Sequence, residues 1–211
     1  MKKFKKLIIA CDGESASGKS TAAKLISKKY KLYLLNSGLL YRYASKEMIN
    51  NKPKNEISFL KKKFKNISYK RITKSNLHSE QISNHVALLA KKKAVKKIIN
   101  VFQRKLIKKN KKVCVEGRDI ASKILSKNPK YDLAFYFKCN VKVASYRRWL
   151  DLKKKVSLKN VRRSLSKRTL IDKKRKNSPL IKVKDAILIR TDRLNKKQVL
   201  SKMSEHIEKL S

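Results

Sequence analysis

The chain has 211 residues, of which 41% are hydrophobic, a size and composition that suit one domain with a core of its own. No run approaches the ~20 apolar residues of a membrane span, and the apolar run after the basic start Met1–Lys6 is too short for a secretory signal, so a cytoplasmic protein is expected. The net charge of +45 suggests nucleic-acid binding, but only twelve of the 59 basic residues are arginine and the lysines run along the whole chain, so the excess predicts salt-sensitive attraction to polyanions rather than a specific nucleic-acid partner.

In chain order, the apolar run at 7–12 reads as a buried strand. A helix over 19–29 follows, then a strand at 31–35. Ser37 is expected to cap a helix reaching about residue 50. The pattern breaks at Asn51-Lys52-Pro53-Lys54-Asn55. Short alternating pieces in 55–77, such as Ile67–Ile72, predict a small β insert. Helical spacing from Ile82 to Leu106 predicts a long helical region over about 79–109. Strands at 113–115, 133–137 and 186–189 alternate with helices at 141–154, 158–173 and 195–209, which implies a parallel sheet. Ligands should gather at its carboxyl edge. Cys11, Cys114 and Cys139 lie in apolar runs without metal-ligand spacing and are expected to be buried core residues.

The first strand runs into Gly13-Glu14-Ser15-Ala16-Ser17-Gly18-Lys19-Ser20-Thr21, which fits G-x-x-x-x-G-K-[ST] at every fixed position. Strand, glycine loop and helix are what phosphate binding needs. Glycines let backbone N–H groups wrap an anion, the helix N-terminus favours negative charge, and Lys19 supplies a cation for the β- and γ-phosphates.

Arginine is scarce in this lysine-rich chain, so its placement is informative. Arg42 follows Ser37-Gly38 by about one helical turn, and Arg118 opens the loop after the third strand. Arg168 and Arg175 stand seven apart with Asp172 between them on one helix face. That face reads either as a phosphate grip or as a solvated row of ion pairs. Arg147-Arg148 is either surface charge or part of a lid. Several arginines around one phosphate loop suit phosphoryl transfer between two anions.

These segments resemble bacterial cytidylate kinases, members of the nucleoside monophosphate kinases among the P-loop NTPases. The likeness rests on Gly13–Thr21, Asn36-Ser37-Gly38-Leu39-Leu40-Tyr41-Arg42, Glu116-Gly117-Arg118-Asp119 and Arg168…Asp172…Arg175…Ser178-Pro179-Leu180, and it spans essentially the whole chain. The resemblance implies an α/β fold with a five-stranded parallel sheet flanked by helices, an acceptor-binding insert and a helical lid. The core would be 1–36, 110–155 and 183–211, the acceptor region 37–109 and the lid 156–182. It implies transfer of the γ-phosphoryl group of ATP to CMP or dCMP, with Mg²⁺ near Ser20 or Thr21. Gly13–Thr21 would hold the ATP phosphates. Arg42 and Arg118 would contact the acceptor phosphate, Asp119 the cytosine, and Ser37 would face the acceptor. Arg168, Asp172 and Arg175 would grip both substrates from the lid, which makes Lys19, Arg118, Arg168 and Arg175 the catalytic set. Two base-contacting positions, usually Ser and Arg, fall on Ala87 and Lys96. Asn36 and Glu116 also depart from a usual Asp, and Glu14 from a usual Pro. Nothing in the sequence demands more than a monomer. The alternatives are a kinase of UMP, AMP or a non-nucleotide acceptor on the same fold, and a non-enzymatic polyanion-binding protein.

Overall fold

The apolar run at the start of the chain is hydrophobic on both sides of the strand, and β1 (Leu7–Gly13) is buried at every position, as the central strand of a parallel sheet must be. The structure is a computed structural model that describes residues 4–210. Residues 1–3 and 211, the ends of the expected core, lie outside the described residues. β1 pairs in parallel with β3 (Lys112–Glu116) on one side and β4 (Leu133–Lys138) on the other. β5 (Ile187–Arg190) extends the sheet beyond β4, and β2 (Tyr33–Asn36) lies beyond β3. The order is β2-β3-β1-β4-β5, with all strands parallel. Its register sets Cys11 beside Glu116 and Gly13 beside Phe137, so the carboxyl ends of β1, β3 and β4 meet at one edge.

The sheet-bearing unit runs to Leu35 and resumes at Asn110. Ala22, Ala23 and Ile26 of α1 (Lys19–Tyr30) and Val199, Met203 and Ile207 of α9 (Lys196–Glu208) pack with Leu7, Ile9, Phe135 and Phe137 of the sheet. The unit also holds α7 (Val141–Asp151) and α8 (Leu158–Lys174), which pack on each other. A short π-helical turn at Ile120–Ile124, not expected from the sequence, follows β3. Cys11, Cys114 and Cys139 are buried and free, as expected.

The second unit spans Asn36–Lys109 and is helical among its described residues. It holds α2 (Ser37–Asn51), α3 (Glu56–Asn66), α4 (Tyr69–Lys74), α5 (Glu80–Leu89) and α6 (Lys93–Lys109). Edge-to-face rings tie it together: Tyr43 to Phe64 at 5.6 Å and Phe64 to Phe102 at 5.2 Å.

One expectation is corrected here and another is divided into two elements. The β insert at 55–77 is α3 and α4. Side-chain caps decide it, because Asn55 Oδ1 accepts from Ser58 N and Ser68 Oγ from Arg71 N. Burial then follows helical spacing, with Leu60 and Phe64 on one face and Tyr69 and Ile72 on another. The helical region over 79–109 is helical as expected but consists of α5 and α6, divided between Leu89 and Lys93. Leu89 and Val95 are both buried, yet six positions place them about 120° apart on one continuous helix. The Lys91-Lys92-Lys93 run takes the break, with Lys91 and Lys92 donating three residues back to Leu88 and Leu89.

Candidate active site

Gly13 leaves β1 so close to β4 that a Cβ there would stand 2.4 Å from the Phe137 carbonyl oxygen. Glu14 N donates to that carbonyl at 3.1 Å and starts the loop. Gly18 closes it in the left-handed region, φ 77°, where glycine alone is unstrained. Inside the loop Ser17 Oγ donates to Glu14 O, and Thr191 Oγ1, just past β5, donates to Ser17 O at 3.1 Å. Arg147 in turn donates to the carbonyls of Thr191 and Asp192. Through Thr191 it braces the phosphate loop from behind.

Lys19 begins α1 and is only 6% exposed. Burial pulls its ammonium down to about 8, with Arg118 and Arg168 adding repulsion that Glu116 and Asp12 partly offset. Ser20 and Thr21 are exposed on the same turn.

Asp12 is the next-to-last residue of β1, at the carboxyl edge of the sheet where ligands are expected to gather. Its buried carboxylate accepts from Ile120 N at 2.9 Å and Ala121 N at 2.8 Å, and Gly117 N donates to Cys11 O. These bonds fix the loop that carries Arg118 and Asp119. Burial raises the Asp12 carboxyl to about 6, although both N–H donors and Lys19 favour its ionised form.

Across that loop lies α8. Arg118 Nε donates to Asp172 Oδ2 at 2.8 Å. Arg175 stands 3.7 Å from both Asp172 and Asp119, and its Nε donates to Ser178 O. Arg118, Asp119, Asp172 and Arg175 therefore form one network, each side chain less than a fifth exposed. A phosphate that takes Arg118 Nε must displace Asp172. Arg168 adds its charge to the field at Lys19.

In the second unit, Ser37 is the first helical residue and not the cap. Asn36 caps α2, its Oδ1 accepting from Leu39 N at 3.2 Å. The Asn at a usual Asp position thus keeps the acceptor that the helix needs. Arg42 Nη1 donates to Leu77 O and Ser83 Oγ. Lys96 is buried and Ala87 is exposed.

No three His, Cys, Asp or Glu side chains among the described residues gather as a metal cage. Buried Glu116 Oε2 lacks a hydrogen-bond partner among the described residues, at the same sheet edge as Lys19. With the exposed Ser20 hydroxyl it offers hard oxygen donors, which fit a Mg²⁺ ion arriving on nucleotide phosphates. A cleft of about 350 Å³ borders the phosphate loop, lined by Glu14, Ser15, Asn140, Thr169 and Lys173 among others; Arg118, Asp119, Arg168 and Arg175 are not in its wall.

A family model described as cytidylate kinase matches residues 9–209. Over 97% of this chain and 98% of its own length, a cytidylate kinase of Fusobacterium nucleatum is 31% identical to it. One of Clostridium tetani is 32% identical, over 96% of this chain and 94% of its own. A crystal structure of an uncharacterized protein from Eubacterium ventriosum superposes with a TM-score of 0.54 over 97% of this chain and 99% of that one, at 18% identity, a likeness of fold.

Proposed function

The chain belongs to the cytidylate kinase family, and from that premise and the geometry above we propose which residues carry the reaction. It is an ATP-dependent kinase that transfers the γ-phosphoryl group of ATP to CMP or dCMP. An acceptor phosphate oxygen forms the new P–O bond, the bond from γ-phosphorus to the β–γ bridging oxygen breaks, and ADP leaves.

The observation that carries the residue assignment is buried Lys19, held on the phosphate loop beside the Arg118–Asp172–Arg175–Asp119 network. Gly13 to Thr21 receive the ATP phosphates on backbone N–H groups and the α1 N-terminus, and Lys19 meets the β- and γ-phosphates. Arg118, Arg168 and Arg175 neutralise the charge of the transferred group, so catalysis is positioning and electrostatics rather than covalent chemistry. Arg118 holds the acceptor phosphate, and Arg42 and Ser37 are the acceptor-binding residues of the second unit. The Asp119 carboxylate accepts from the exocyclic amine of cytosine, where uracil presents a carbonyl. Asp172 passes from Arg118 to the sugar as substrate enters. Lys96 takes a base-side position with a point charge instead of a guanidinium fork. Mg²⁺, which would shield the triphosphate charge, would be held by Ser20 and Glu116, with Thr21 adjacent. The reaction needs one copy of the chain and soluble cytoplasmic substrates.

The test is an ADP-release assay with ATP and Mg²⁺ and with CMP, dCMP, UMP or AMP as acceptor. Turnover concentrated on CMP and dCMP is expected. Equal turnover with UMP would remove Asp119 from base recognition.

A further inference from the structure

Glu14 places a carboxylate inside a loop whose purpose is to receive phosphate. The side chain is 11% exposed, and its Oε1 accepts from Lys173 Nζ of α8 at 2.7 Å. Four residues earlier on the same helix, Thr169 Oγ1 accepts from Ser15 N at 3.4 Å. We propose that Lys173 serves the ATP site as the counter-ion of Glu14, masking a negative charge that would otherwise repel the triphosphate. This rests on the reading of Gly13–Thr21 as the ATP-phosphate loop.

Magnitudes separate this role from a structural one. Lys173 is 44% exposed, and an ion pair so open to water adds little to stability. An unmasked carboxylate next to phosphates acts across a few ångströms of partly desolvated space, where repulsion is several-fold stronger than in bulk water. Losing Lys173 is therefore felt in ATP affinity and not in melting temperature.

The experiment is calorimetric titration of ATP with Mg²⁺ at fixed ionic strength into the wild type, Lys173→Met, Glu14→Gln, the double variant and Lys19→Ala. Lys173→Met should bind ATP about tenfold more weakly at an unchanged melting temperature. Glu14→Gln should bind as tightly as wild type or more tightly. The double variant should return to within about twofold of wild type, the signature of coupling between the two sites. Unchanged ATP affinity in Lys173→Met would overturn the proposal. So would a double variant as weak as Lys173→Met, because Lys173 would then meet ATP directly. Lys19→Ala reports separately on the loop: retained ATP affinity there would overturn the phosphate-loop reading itself, and this inference with it.

Discussion

Lys19 makes the site sensitive to alkaline pH. Its burial and the neighbouring Arg118 and Arg168 bring the ammonium to about 8, so the free enzyme loses this charge as pH rises through that value. kcat/KM for ATP, which reports the free enzyme, should fall above pH 8. A bound triphosphate favours the charged form, so kcat should hold to higher pH. Stability moves the other way for this group. Its folded value lies below the ordinary 10.5, so the unfolded chain binds more protons between about 8 and 10.5, and the Lys19 contribution to stability rises with pH across that window. A melting temperature that falls in step with kcat/KM between pH 8 and 9 would assign the loss to unfolding instead. On the acceptor side of the reaction, Asp119→Ala should lower kcat/KM for CMP by roughly tenfold or more and for UMP by much less, since a lost hydrogen bond to a buried charge costs about 1.5–3 kcal/mol only where the partner exists. Steady-state kinetics with both acceptors decides it.

Single side-chain caps set where α2, α3, α4 and α5 begin, and Asn36 is the one that bears on function. It fixes the start of α2, which carries Ser37 and Arg42. Asn36→Ala should cost about 1 kcal/mol in urea unfolding. Asn36→Asp should match or exceed wild type, because a carboxylate caps as well and complements the helix dipole. The strands were legible because each is a short apolar run bounded by polar residues, and β1, β3, β4 and β5 fall within one residue of their expected bounds. β2 starts later than expected because Lys31, φ 54°, is spent closing α1. The insert misled because Ile67–Ile72 alternates like a strand, and only the Asn55 and Ser68 caps betray the helices. At the site, the phosphate loop was legible as a contiguous motif. The Asp12 clamp on Ile120 and Ala121, the Thr191 brace on Ser17 and the Glu14–Lys173 pair were not, since each joins residues more than a hundred positions apart. A carboxylate at the end of a buried strand and a lone hydroxyl just after another were the only local signals.

The whole molecule has 14 acidic side chains against 59 cations, so local pairing cannot neutralise it, and most of that charge faces water. Two consequences of opposite sign follow. Self-repulsion strains the folded state, and salt screens it over a Debye length that shrinks from ~30 Å at 0.01 M to ~10 Å at 0.1 M. The melting temperature should therefore rise by several degrees, on the order of 1 kcal/mol, between low and physiological ionic strength. The same field draws in ATP and CMP, so kcat/KM should fall over that range while kcat changes little. Binding of non-specific nucleic acid should weaken far more steeply than either, because each phosphate neutralised releases condensed counterions. Lys19→Ala should abolish phosphoryl transfer and leave that binding unchanged, since one buried lysine contributes little to a field made by dozens of exposed ones. Equal loss of both would place the polyanion on the phosphate loop itself, and a melting temperature flat with salt would mean that the cations lie far enough apart to be screened by water alone.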